Sequence, residues 1–123
     1  MKILSSYHQQ RLWFIDYFEK GDLYPDGPVY HNIPLIFSVK KQLSYEGVEK
    51  AVYQLLSKNE VLRTSFFRSE GTIFQEIHEI KEISISKILK KEIDLLSKLK
   101  DLQELAFTFD NNFLIKCYFE NLK

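Results

Sequence analysis

The chain has 123 residues, of which 45% are apolar, and its 17 lysines and arginines balance 17 aspartates and glutamates. This length predicts one domain of ordinary size, and the balanced charge gives no general attraction for nucleic acid or for an anionic membrane surface. The single cysteine excludes an internal disulfide framework and a zinc site built from cysteines.

The first part of the chain is predicted to hold one helix and one strand. Ser6 and Gln9 have the spacing of a capping box, so a helix is expected over residues 7–20. Its apolar positions extend beyond one face, which indicates a helix buried on several sides. Turn-forming residues predict a loop over 21–32. Residues 33–39 then alternate with two apolar faces, which is typical of an inner strand.

The middle of the chain predicts a capped helix followed by a β-hairpin. Ser44 is a suitable N-cap for a helix that runs to residue 58, and Asn59 is suitable as its C-cap. Residues 62–67 and 72–80 are rich in β-forming side chains and flank a turn that contains glycine. This pattern predicts an antiparallel hairpin.

The last part of the chain predicts the longest helix and a final strand. Apolar residues at helical spacing cover 86–106, and the lysines of this segment lie mostly off the apolar stripe. Residues 113–119 predict the final strand. The order of elements predicts an α+β fold in which helices pack on a mixed β-sheet.

Few residues form a pattern that is typical of catalysis or metal binding. The histidines lie far apart in the sequence, so we expect no metal site, and the chain has neither a glycine-rich phosphate loop nor a nucleophile elbow. Cys117 alternates with apolar residues in the final strand, which predicts a packed and unreactive thiol. No run of apolar residues reaches the roughly 18 that cross a bilayer. With no secretory signal at the start, the expected location is cytoplasmic.

Two arginines lie beside apolar residues. Arg11 falls on the apolar stripe of the first helix, and Arg63 directly follows Val61 and Leu62 at the start of the hairpin. Each side chain could reach water along its apolar stem. Alternatively, each guanidinium could be buried and orient a carboxylate or backbone carbonyls, because an unpaired buried charge costs several kcal/mol.

A series of motifs, in order along the chain, resembles those of the condensation domains of nonribosomal peptide synthetases. Residues 4–15 read L-S-S-Y-H-Q-Q-R-L-W-F-I and resemble the family's S-x-A-Q-x-R-L-W-F-L. Residues 30–34 read Y-H-N-I-P and resemble Y-N-I-P. Residues 58–66 read K-N-E-V-L-R-T-S-F and resemble R-H-E-x-L-R-T-x-F.

Two further matches complete the resemblance over nearly the whole chain. Gly71, Gln75 and Ile77 match the family's G-x-x-x-Q-x-I, and residues 109–116 resemble F-D-L…P-L-L-R. The chain departs from these patterns at His8, at Lys58 with Asn59, and at Phe113, where the family has Ala, Arg-His and Pro.

The resemblance implies a fold and an activity. The fold would be half of a domain built from two units that each resemble a chloramphenicol acetyltransferase subunit. The family joins carrier-protein-bound aminoacyl or peptidyl thioesters through amide bonds, and phosphopantetheine arms bring both substrates into a central tunnel. The family's signature H-H-x-x-x-D-G is absent from these residues. We therefore expect residues 1–123 to be a partial condensation domain, its N-terminal scaffold, that is inactive alone.

The resemblance also assigns residue roles and partners. Arg11 and Arg63 are the candidates for a structural ion pair with the Asp of the signature motif, with Arg63 preferred. Tyr30, Thr64 and Ser65 are the candidates for lining the tunnel, and no residue of this chain is expected to be catalytic. The implied partners are the rest of the condensation domain and peptidyl or acyl carrier proteins. No cofactor is expected to bind directly, since the phosphopantetheine arm belongs to the carrier.

Two other functions stay open at this point. The chain could be a stand-alone module that docks a carrier protein or a partner subunit. It could also belong to a different acyltransferase of the same superfamily, with the reactive histidine on another chain. As a partial condensation domain that ends at Lys123, the chain is expected to expose the predicted strand over 113–119, which includes Cys117, as an edge. Exposed edges pair with other chains, so we expect a homo-oligomer.

Overall fold

The structure is a computed structural model that describes residues 1–20, 32–105, 107 and 113–121. Over these ranges the chain is an α+β protein with three helices and two small sheets, which confirms the predicted class. The elements are, in chain order, β1 (Lys2–Leu4), α1 (Tyr7–Glu19), α2 (Tyr45–Lys58), β2 (Thr64–Ser69), β3 (Thr72–Ile77), β4 (Leu89–Lys91), α3 (Leu95–Gln103) and β5 (Cys117–Phe119). Among the described residues, no helix is both long enough and apolar enough to cross a membrane.

The predicted hairpin is confirmed and forms most of an antiparallel sheet with the order β1-β3-β2. β2 and β3 pair from Thr64 opposite Ile77 to Ser69 opposite Thr72. Gly71 lies in the turn with φ of 80°, a conformation that glycine adopts without steric cost. The sequence did not predict β1, because a strand of three residues carries too little alternation to be recognised.

The helix α1 begins as predicted and is fixed to the hairpin. The capping box forms, with Gln9 N donating to Ser6 Oγ at 3.1 Å and Ser6 N donating to Gln9 Oε1 at 2.8 Å. The preceding residue, Ser5, is buried and donates from Oγ to the carbonyl oxygen of Ile73 at 2.6 Å. Ser5 is therefore hydrogen-bonded to β3 directly before the cap of α1.

The helix α2 and the parallel pair of β4 and β5 enclose the main core. Ser44 caps α2 by accepting from Gly47 N at 3.0 Å, and the Nδ2 of Asn59 donates to Leu55 O at 2.8 Å. Both predicted caps are confirmed. The buried residues of this core are Val52, Leu56, Ile88, Leu89 and Phe119.

The predicted strand over 33–39 is wrong. The segment has no regular secondary structure and makes no backbone hydrogen bond with any other described residue, and its apolar side chains are exposed. Alternation describes which side chains share a face, but a strand forms only where a second strand supplies hydrogen bonds. The predicted loop over 21–32 lies outside the described residues except for Asn32. Its Nδ2 donates to the carbonyl oxygens of Gln103 at 3.0 Å and Leu105 at 2.8 Å.

The long helix predicted over 86–106 is wrong in its first half. Ile88 and Leu89 are buried in the core, and β4 pairs in parallel with β5, with Leu89 opposite Cys117. Asp94 then takes a left-handed conformation, with φ of 56°, before α3 begins. The predicted final strand is correspondingly shortened to β5. The single mixed sheet expected from the sequence is thus divided into one antiparallel and one parallel sheet.

Candidate functional site

Arg63 connects the end of α2 with the chain that follows β3. Its side chain is 14% exposed, and Nε donates to the carbonyl oxygen of Leu56 at 3.1 Å. Nη1 donates to the carbonyl oxygen of His78 at 2.9 Å, and Nη2 lies 3.8 Å from the carboxylate of Glu60. The guanidinium therefore gives a second donor to a carbonyl group at the C-terminus of α2, which also accepts from Asn59 N at 3.4 Å.

His78 lies beside this arginine and contacts a buried serine. Its Nε2 is 2.8 Å from the Oγ of Ser65, and its backbone N donates to Arg63 O at 3.0 Å. The ring packs edge-on against Phe113, with 5.2 Å between ring centres, and Nδ1 lies 3.9 Å from the carboxylate of Glu82. A serine, a histidine and a carboxylate in this order have the chemical components of an activated nucleophile.

The geometry of this trio is that of a structural contact. Ser65 is 2% exposed, so an acyl group has no route to its Oγ in this conformation. The 3.9 Å between His78 and Glu82 exceeds the length of a hydrogen bond, so the carboxylate does not orient the ring. The short contact of Ser65 with His78 satisfies a buried hydroxyl, as most buried polar groups require.

A cleft of about 410 Å³ lies on the other face of the hairpin. Its volume falls in the range of roughly 300–1,000 Å³ that is usual for small-molecule sites. The side chains that line it include Gln9, Thr64, Phe66, Gln75, Ile77 and Leu114. The amide groups of Gln9 and Gln75 are 3.5 Å apart, and Glu60 also lines the cleft. The lining is thus mainly apolar, with two amides and one acidic residue among it.

The predicted site residues occupy different environments. Thr64 lines the cleft and donates from Oγ1 to Glu60 O at 2.7 Å. Ser65, the next residue of β2, faces the opposite side of the hairpin beside His78. Arg11 is exposed on α1, and Tyr30 lies outside the described residues.

Sequence reasoning missed His78, although the hairpin offered a usable signal. In the observed register Ser65 is opposite Glu76, so His78 lies two residues further along the same face. Any register centred on residues 70 and 71 of the turn places His78 near Ser65. Within the described ranges, no cluster of three or more histidine, cysteine or acidic side chains is arranged to hold a metal ion.

Cys117 is half-buried in β5, where the predicted packed thiol is found. Burial raises the pKa of its thiol, because the charged thiolate is poorly solvated there. Burial also raises the pKa of the adjacent Tyr118, with smaller contributions from the negative charges of Glu92 and Cys117. A cysteine with a raised pKa is a poor nucleophile at neutral pH.

Comparison with known proteins places residues 2–119 in one family, described as "Condensation domain". The chain is 38% identical over 73 residues to a linear gramicidin synthase subunit of Brevibacillus parabrevis, which is 59% of this chain and 1% of that protein. It is 33% identical over 96 residues to the dimodular nonribosomal peptide synthase of Bacillus subtilis (strain 168), which is 75% of this chain and 4% of that protein.

A fungal protein is similar over a larger part of the chain. Identity to the bassianolide nonribosomal cyclodepsipeptide synthetase of Beauveria bassiana is 30% over 103 residues, 84% of this chain and 3% of that protein. The chain therefore spans only a small fraction of the length of these relatives. No solved structure matches the chain.

Proposed function

The chain belongs to the condensation-domain family, and from this membership we propose that it is the N-terminal scaffold of a domain that joins two carrier-bound acyl groups. In that reaction an aminoacyl amine attacks the carbonyl carbon of a thioester. A C–N bond forms, the C–S bond breaks, and the amine proton passes to the departing phosphopantetheine thiol. The observation that carries the proposal is the family match over residues 2–119.

The histidine of the family's signature lies, in this proposal, on polypeptide outside these residues. The sequence contains no H-H-x-x-x-D-G, and the serine of the one serine–histidine pair described above is buried. The chain would then contribute by holding other parts of the domain in place. Such a contribution is substantial in a reaction between two tethered substrates, because alignment alone can supply several kcal/mol of the barrier.

Arg63 is the proposed partner of the aspartate of that signature. A guanidinium has five N–H donors. Two hydrogen bonds hold its plane to Leu56 O and His78 O. Among the described residues, Nη2 contacts only the exposed carboxylate of Glu60, at 3.8 Å. A second carboxylate could bind there without breaking either hydrogen bond. Arg11, which is exposed on α1, has no comparable support.

The cleft beside Thr64 is the proposed path of a phosphopantetheine arm, in a fold that resembles half of a chloramphenicol acetyltransferase-like domain. The amides of Gln9 and Gln75 could bond the amide groups of the arm, while Phe66 and Ile77 contact its methylene carbons. Thr64 and Ser65 are both buried, but Thr64 lines the cleft whereas Ser65 faces the opposite side of the hairpin. The tunnel assignment is therefore better supported for Thr64 than for Ser65.

A condensation assay tests the proposal directly. The chain is mixed with one carrier protein that bears a donor aminoacyl thioester and another that bears an acceptor, and dipeptide is measured by mass spectrometry. We expect no dipeptide above the mixture without the chain, while an intact condensation domain serves as the positive control. Dipeptide made by the chain alone would contradict the scaffold role.

The cleft also favours a second candidate, a module that docks a carrier protein without catalysis. Calorimetry of the chain with the phosphopantetheine-loaded carrier distinguishes the two functions. A dissociation constant below about 100 μM, roughly 5.5 kcal/mol of binding free energy, that weakens in Gln75→Leu would support docking. Failure to bind would leave only the scaffold role.

A further inference from the structure

The helix α3 lies outside the main core. Its nine residues all belong to the described part of the chain, and none of them is buried or part of the core around Leu56 and Leu89. Its apolar side chains are at most half-buried. A helix shorter than about 12–15 residues is only marginally stable in water by itself, and packing of one face stabilises most helices in proteins. The structure therefore has to stabilise α3 in another way.

The first turn of α3 is held by Glu120, which follows β5. The two carboxylate oxygens of Glu120 accept from Asp94 N at 2.9 Å and from Leu95 N at 2.7 Å. Asp94 is of a residue type that often caps helices, but here its side chain makes no capping hydrogen bond. The cap of α3 is thus supplied by a residue that is remote in the sequence.

The last turn of α3 is held by Asn32, which is also remote in the sequence. Its Nδ2 donates to the carbonyl oxygens of Gln103 at 3.0 Å and of Leu105 at 2.8 Å. Gln103 is the last residue of the helix, so its carbonyl is one of those that a helix leaves without an internal partner. One side-chain amide therefore satisfies two carbonyl groups at this end.

A third contact of α3 is weaker than these two. Lys98 Nζ lies 3.1 Å from Glu92 Oε2, and the lysine is exposed. An ion pair between side chains in contact with water contributes little to stability. The hydrogen bonds of Glu120 and Asn32 are consequently the main contacts outside α3 that fix it.

We propose that α3 is a two-state element, which opens as a unit while the core stays folded, and that Glu120 and Asn32 hold it closed from its two ends. Helix formation is cooperative, so a cap at either end stabilises every turn of so short a helix. The two caps lie about 13 Å apart along the axis, and α3 couples them, since each favours the helix that the other one binds. Local opening of this kind is usual where few side chains are buried. The proposal goes beyond the proposed function and does not depend on it.

Native-state hydrogen exchange of single amides, measured by NMR, tests the proposal. The amides from Leu99 to Gln103 donate within α3. We expect them to share one exchange protection, lower than that of the α2 amides near Leu56. Glu120→Ala and Asn32→Ala should each raise exchange about fivefold at all of these α3 amides, the change that a lost cap of ordinary strength gives. The double variant should raise exchange roughly twenty-five-fold, because both caps act on one equilibrium.

Two further variants serve as controls. Glu120→Gln keeps one oxygen that accepts a hydrogen bond but no charge, so its effect should lie between those of the unmodified chain and Glu120→Ala. Glu104→Ala removes an exposed carboxylate at the other end of α3 that makes no cap, and exchange should not rise. Protection of the α2 amides shows in the same spectra that each variant is folded.

Three outcomes would overturn the proposal. In the first, loss of a cap raises exchange only in the turn beside it, which is fraying of an end. In the second, neither variant raises exchange in α3, so the caps do not hold it closed. In the third, the α3 and α2 amides of the unmodified chain have equal protection, which would make α3 part of a single global unfolding unit.

Discussion

At the scale of single residues, the structure explains why position 63 requires arginine. The guanidinium donates in two directions at once, to Leu56 O and to His78 O. A lysine ammonium on a flexible stem does not reproduce this planar fork. The interaction is intramolecular, so it contributes to stability whether or not a carboxylate from elsewhere also binds.

We predict that Arg63→Ala lowers the free energy of unfolding by about 2–3 kcal/mol, because two carbonyls lose charged donors in a partly buried place. Arg63→Lys should recover less than half of this loss. The control is Arg68→Ala, which is exposed on β2 and should change stability by less than about 0.5 kcal/mol. Urea denaturation gives the values, and an Arg63→Ala protein as stable as the control would contradict the role given to the guanidinium.

The same residue illustrates what the sequence could reveal about the site. Arg63 stands out because it directly follows two apolar residues, which raises the question of its partners. The partners themselves are backbone carbonyls, which have no sequence signature. The resemblance makes both Thr64 and Ser65 candidates for lining the tunnel, but adjacent residues of a strand face opposite sides. Only one of them lines the cleft.

At the scale of elements, α3 is capped by a residue far away in the sequence. The carboxylate of Glu120, directly after β5, accepts from Asp94 N at 2.9 Å and from Leu95 N at 2.7 Å. Its negative charge also lies at the positive end of the helix dipole. The start of α3 therefore depends on β5 being in place.

We predict that Glu120→Ala destabilises the protein by about 1–2 kcal/mol, which is the usual cost of a lost N-terminal cap. Glu104→Ala is the matched control. Glu104 lies at the opposite end of α3, where a carboxylate opposes the dipole, so its loss should be neutral or slightly favourable. Thermal unfolding followed by circular dichroism compares the two. Equal midpoints for both variants would contradict the capping role.

The elements that the sequence predicted well are those with local signals. The caps of α1 and α2 and the glycine turn of the hairpin depend on residues close in sequence, and all three are confirmed. The segment 86–106 was misread because its first apolar residues, Ile88 and Leu89, face a core shared with Phe119. Periodicity cannot show that such residues belong to a strand whose partner is distant. The strand predicted over residues 33–39 is wrong for a different reason. The alternating pattern is present, but no described residue pairs with this segment as a neighbouring strand.

At the scale of the whole molecule, two residues of β5 make the stability of the fold depend on pH in the alkaline range. Cys117 and Tyr118 both have a pKa raised by burial, so the folded state holds their protons more tightly than the unfolded state does. Their contribution to stability is complete below the unfolded-state pKa values, about 8.5 for cysteine and 10 for tyrosine. It is lost as the pH rises through the folded values.

We therefore predict that the free energy of unfolding falls as the pH is raised above about 8.5. Urea denaturation at a series of pH values between neutrality and the alkaline limit measures this slope. The control is the Cys117→Ala, Tyr118→Phe double variant, whose slope should be shallower because neither group can ionise. If only Tyr118 is replaced, the free energy of unfolding should still decline from a pH near the unfolded-state pKa of cysteine. If the double variant lost stability with pH as steeply as the unmodified chain, ionisation elsewhere would account for the decline.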